Sequence, residues 1–141
     1  MDKERILSKI DELDSYLLEL KEIVPNTFDD YVDFKEKRRA CERPLQISIE
    51  TVIDICNLIL KGLRLGVPGE EEDVFDKLEK SKVITKKMKK TLKSMKGLRN
   101  ILVHRYGEVD DELVFQNLKH NLSDFKTFKK EILSFLKSKT S

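Results

Sequence analysis

Tryptophan is absent from this 141-residue chain, histidine and cysteine occur twice each, proline three times and glycine five times. So little glycine and proline argues against a turn-rich β fold. Cys41 and Cys56 have no CxxC spacing and read as reduced helix residues rather than a disulfide or metal pair. Two histidines without HExxH-type spacing provide no metal motif. Gly62, Gly66 and Gly69 lack the pattern, and the following Lys-Ser/Thr, of a phosphate-binding loop. No apolar run approaches the ~20 residues of a membrane span. The longest, 52–60, is interrupted by Asp54 and Asn57. The opening MDKERILSKI is charged from its second residue, so no signal peptide, no membrane association and a cytoplasmic location are expected.

What the chain does have is charge. Asp, Glu, Lys and Arg make up 38% of it, against an ordinary share of about a quarter. The 39% of hydrophobic residues suffices for one modest core, and the length suits one domain spanning 1–141. Net charge is only +2, but it is unevenly spread. Ten basic residues and no acidic one fall between Lys80 and Gly107, directly after the acidic stretch 70–79. A lysine run is often just a solvated helix face. One that leads into a reactive-looking motif also draws polyanions.

The hydrophobic spacing is helical throughout. Ile6, Ile10, Leu13, Leu17, Leu20 and Val24 recur at steps of four and three, and Pro25 ends that helix. Thr27, with Asp30 three places on, predicts the start of a second helical region over 28–63. Pro44 is expected to kink or divide it. Beyond Pro44 the apolar residues cover most of the circumference, which predicts a central helix or a subunit interface. Residues 62–69 read as a loop. A short helix follows, its first turn loaded with Glu70, Glu71, Glu72 and Asp73. Thr85 is expected to cap a fourth helix and Gly107 to stop it. Asp110 caps a last helix running through Val114, Leu118, Leu122, Phe125, Ile132 and Phe135, with a frayed tail after Lys137. The expected fold is all-α: an antiparallel bundle of about four long helices and one short one, paired as a dimer through a broad apolar face.

The concentrated chemistry lies in Arg99-Asn100-Ile101-Leu102-Val103-His104-Arg105-Tyr106. Arg presents a rigid fork to phosphate oxygens, and His gives or takes a proton near neutrality. Five residues of straight helix separate Arg99 from His104 by about 140° around the axis. They converge only through a bent or ending helix, a second subunit, or both. Asn100 and His104, four apart, share a face, so Asn100 is placed to orient the imidazole. Such a cluster suits phosphodiester cleavage in which the ribose 2′-OH is the nucleophile, without a metal. His120 lies in a polar stretch and is given no role.

This segment resembles the R-x4-H-x-Y motif of HEPN-domain proteins, in particular the HepT-like toxins. The likeness extends to Glu42-Arg43-Pro44-Leu45-Gln46 with Ile49, Glu50, Ile53 and Asp54, to the loop 65–68, to Phe75 and Leu78, and to Val83-Ile84. The resemblance implies a homodimeric, metal-independent endoribonuclease toxin whose two motifs line one cleft. Arg99 and His104 would be catalytic, Asn100 and Tyr106 supporting. Lys89, Lys93, Lys96 and Arg105 are the candidate RNA contacts. The implied partner is an MntA-like minimal nucleotidyltransferase antitoxin that transfers AMP from ATP onto Tyr106; no other cofactor is expected. Added phosphates beside Arg99 and His104 would fill the anion site and repel RNA. The alternatives are a non-catalytic nucleotide- or partner-binding subunit of a nucleotidyltransferase complex, and a plain helical bundle without an active site.

Overall fold

A computed structural model describes residues 1–104 and 110–140. Its first helix, α1 (Lys3–Ile23), is capped by the Asp2 carboxylate, which accepts from the Arg5 amide, and it ends at Val24 before Pro25. Its buried residues, Ile6, Ile10, Leu13, Leu17 and Leu20, are those of the four-and-three pattern. Three further long helices are α3 (Lys35–Gly62), α5 (Lys86–His104) and α7 (Ser123–Thr140). Three short ones are α2 (Phe28–Val32), α4 (Glu71–Lys80) and α6 (Asp111–His120). The four expected long helices are present, and among the described residues there are three short helices instead of one. No described helix is long and apolar enough to cross a membrane.

Helix α3 runs through the middle, in contact with α1, α2, α4 and α5. Pro44 does not divide it. The ring removes the N–H that would reach the Ala40 carbonyl, at a cost of about 3 kcal/mol. Burial of Cys41, Leu45, Ile49, Val52, Ile55, Cys56 and Ile59 in the same helix, at roughly 1.5–3 kcal/mol per large apolar side chain, offsets that several times over. The break falls earlier, at Phe34, whose backbone is extended. There the Arg38 guanidinium donates to the Val32 carbonyl at the end of α2 and lies 3.9 Å from the Asp111 carboxylate, tying the corner to the start of α6. Burial pushes the Cys41 thiol up to about 11, with the nearby Glu42 charge adding to it. The Cys56 thiol is raised by burial as well. Both cysteines are free.

The expected last helix is two helices. α6 ends at Asn121, whose N–H donates to the Asn117 carbonyl at 3.0 Å, and α7 starts two residues later. Short polar side chains in Asn121-Leu122-Ser123-Asp124 compete with the helical backbone for hydrogen bonds. The apolar spacing of Leu118, Leu122 and Phe125 continues across the break and hides it. α7 also continues to Thr140, beyond the expected fraying point.

Two helix ends close without glycine. Arg64 and Lys82 take positive φ (54° and 62°), and the next residues donate back to Leu60 and Leu78. Gly66, at φ 97°, provides the one described positive-φ glycine. The buried apolar side chains form one cluster drawn from all seven helices.

Candidate active site on α5

Helix α5 starts where Thr85 Oγ1 accepts from the Met88 amide at 3.1 Å, and Thr85 is itself held by Glu131 of α7. Met88, Leu92, Met95, Leu98 and Leu102 point inward. The flank of the helix faces α4, which begins with a capping arrangement: Asp73 Oδ2 accepts from the amides of Gly69 and Glu70, each at 3.0 Å. Val74, Phe75 and Leu78 fix α4 on the core.

Along this seam the acidic and basic stretches of the sequence meet. Lys89 Nζ lies 3.3 Å from Glu79 and 3.6 Å from Asp76; Lys93 lies 3.4 Å from Asp76; Lys96 lies 3.2 Å from Glu72. The last rung is Arg99 Nη2 to Glu71 Oε1. Descending numbers on α4 meet ascending numbers on α5, so the two helices are antiparallel. Slight desolvation raises the Asp76 carboxyl, but the Lys93 ammonium, then Lys89, outweigh it and hold the group below the usual carboxylate range.

The sequence-predicted residues fall into three groups. Arg99 and Asn100 are brought together: Arg99 Nε donates to Asn100 Oδ1 at 3.0 Å. Asn100 is thus engaged with its neighbour in sequence. His104 is exposed at the end of the described α5. The described helix includes both Arg99 and His104, so the rotation of about 140° between them stands within one chain. Lys89, Lys93 and Lys96 each share their charge with an α4 carboxylate, whereas Lys86, Lys87 and Lys90 are exposed on α5. Arg105, Tyr106 and Gly107 lie outside the described residues.

Sequence reasoning missed Glu71, which it treated only as helix-dipole complement. The alternation of an acidic stretch with a basic one was the available signal. Exposed apolar side chains, Ile101 and Val103, flank Leu102 just before His104. A cavity of about 650 Å³ lies elsewhere, between α1 and the α6–α7 turn. It is lined by Lys21, Lys126 and His120 among others and includes none of the predicted site residues. Among the described residues no three His, Cys, Asp or Glu side chains gather as metal ligands.

A family model described as Ribonuclease HepT-like matches residues 13–132. The chain therefore belongs to the HepT-like ribonuclease family. It is 30% identical over 131 residues to a tRNA nuclease HepT of Aphanizomenon flos-aquae, covering 93% of this chain and 89% of that protein. Over 84 residues it is 40% identical to an mRNA nuclease HepT of Shewanella oneidensis, covering 60% of this chain and 63% of that one. Among solved structures it is similar to the tri-AMPylated HEPN toxin of Shewanella oneidensis in complex with an MNT antitoxin. That match has a TM-score of 0.85 at 29% identity and covers 92% of this chain and 96% of the other.

Proposed function

We propose that the chain is a metal-independent endoribonuclease, the toxin of a toxin–antitoxin pair. The observation that carries the reading is a guanidinium held in place at Arg99 and an exposed imidazole at His104 on one helix of a HepT-like ribonuclease fold. In the reaction His104 takes the proton of a ribose 2′-OH. The 2′-oxygen attacks the adjacent phosphorus, the bond to the 5′-oxygen breaks, and a 2′,3′-cyclic phosphate and a 5′-hydroxyl end result. Arg99 stabilises the charge that develops on the phosphoryl oxygens. The 5′-oxygen receives its proton from a second, protonated histidine.

That second histidine comes from another copy of the chain. The rotation between Arg99 and His104 supports this, since one straight helix points them in different directions. A homodimer in which the two α5 ends face each other would supply two of each group to one cleft. Lys89, Lys93 and Lys96 would trade an α4 carboxylate for an RNA phosphate, with Arg105 nearer the motif's end.

The partner in this reading is an MntA-like nucleotidyltransferase. It would use ATP to place AMP on the Tyr106 hydroxyl, releasing pyrophosphate. The tri-AMPylated relative in complex with its MNT antitoxin supports this arrangement. The pairing of three lysines with α4 favours a second reading, in which the chain is a non-catalytic binding subunit, because it reduces the free positive charge available to RNA.

One assay separates the two. Purified unmodified protein is incubated with RNA in EDTA beside His104→Ala. The ribonuclease reading expects cleavage by the wild type and a loss of about 10²-fold or more in the variant. Equal cleavage by both, or none by a wild type shown by intact mass to carry no AMP, would sink it.

A further inference from the structure

Arginine has two edges on which a pair of parallel N–H groups can grip an acceptor. One is formed by Nε and Nη2, the other by Nη1 and Nη2. In Arg99 the first edge is filled: Nε donates to Asn100 Oδ1 at 3.0 Å and Nη2 to Glu71 Oε1. No contact among the described residues engages Nη1. The side chain is only 16% exposed, and its carboxylate partner is 34% exposed. A long, four-torsion side chain is thus fixed at its tip from both ends of one edge, while the other edge is left for a ligand.

Glu71 is itself well fixed. It is the first residue of α4, the helix start is closed by Asp73 on the Gly69 and Glu70 amides, and Lys77 Nζ donates to the Leu65 carbonyl at 3.0 Å, pinning α4 to the preceding loop. The neighbouring rung, Lys96 to Glu72, holds the two helices at the same level.

We infer that Glu71 is a positioning residue for Arg99: its carboxylate locks the Nε/Nη2 edge so that the Nη1/Nη2 edge meets the scissile phosphate. Glu71 does not touch the substrate and acts through the guanidinium. The inference rests on the ribonuclease reading above. It predicts a cost in turnover rather than in binding, because orientation is needed most where charge develops.

The test is a kinetic cycle on the full chain with Glu71→Ala, Glu71→Gln, Arg99→Ala and the double variant Glu71→Ala/Arg99→Ala. Glu71→Ala is expected to lower kcat about tenfold with KM changed less than about twofold. Glu71→Gln retains an acceptor oxygen and should recover part of that loss, leaving about a threefold deficit. In the Arg99→Ala background the Glu71→Ala change should cost less than about twofold, since nothing remains to be oriented. Equal fractional losses in both backgrounds, a loss confined to KM, or a faster Glu71→Ala enzyme would overturn the inference. Thermal unfolding checks that each variant folds.

A second readout does not depend on turnover. Nitrogen-15 spectra of the Arg99 guanidinium should show hindered rotation in the wild type that is lost in Glu71→Ala. Identical spectra overturn the clamp. A wild type that shows the clamp but cuts no RNA overturns the ribonuclease reading and leaves the orientation of Arg99 by Glu71 supported.

Discussion

The α1–α3 seam and the α4–α5 seam are both antiparallel-bundle packings, but they are made of different materials. α1 contributes Ile6, Ile10, Leu13, Leu17 and Leu20, all buried, and among the described residues one ion pair, Lys9 to Asp54 at 3.7 Å, crosses to α3. α4 and α5 also bury an apolar stripe, yet their outer flank is a row of carboxylates facing ammonium and guanidinium groups. The first seam stabilises by removing apolar surface from water, a force without direction. The second adds directional contacts that are individually weak but fix where charged groups point. Direction matters only where a charged group has a task, and the ladder ends at Arg99.

The contrast is open to direct attack. Leu13 is fully buried, so Leu13→Ala should lose about 2–5 kcal/mol of stability in chemical denaturation, with the loss unaffected by salt. A loss below about 1 kcal/mol would mean that the apolar seam is not the main support. A smaller effect of opposite sign is expected at Tyr31, which packs on Phe115 with ring centroids 5.4 Å apart. Its hydroxyl is buried with no partner among the described residues. Tyr31→Phe keeps the ring and removes that orphan group, so stability should hold or rise by up to about 1 kcal/mol. A clear drop would reveal a partner for the hydroxyl.

The smallest effect belongs to the charged seam. Asp76→Asn weakens two rungs that are partly exposed to water, and the loss near pH 7 and low salt should stay under about 1 kcal/mol. It should shrink further in about 1 M salt, where the screening length falls to roughly 3 Å. It should also shrink in acid. Because Lys93 and Lys89 hold the Asp76 carboxyl below its ordinary value when folded, its contribution is in place above that ordinary value. It fades as pH falls through the lower, folded one. A difference between wild type and variant that persists at high salt and low pH would point to packing instead of charge.

Much of this was legible in the sequence, and the reasons differ by element. The stripe from Ile6 to Leu20 is a regular helical repeat on one buried face, so period alone located α1. The caps at Thr27, Thr85 and Asp110 were readable because a single side chain does the work locally, as the bonds to Asp30, Met88 and Leu113 show. The division at Phe34 instead of Pro44 was not, since it depends on how deeply α3 is buried. The break at Asn121 was masked by a continuing apolar rhythm. At the site, the sequence singled out Arg99, Asn100 and His104 by residue type and spacing. It could not pair Arg99 with Glu71, because the partner is 28 residues away and is brought into reach only when α4 folds back along α5.

That separation has a consequence for the order in which the molecule assembles. The Arg99–Glu71 and Lys96–Glu72 contacts close loops of 28 and 24 residues, whereas Lys129 reaches Asp14 across 115. Short loops cost less chain entropy to close and favour fast formation. The segment from Glu71 to Arg99 is thus a helical hairpin whose charged flank needs neither chain terminus, and the arm that aims the guanidinium belongs to the most local part of the topology.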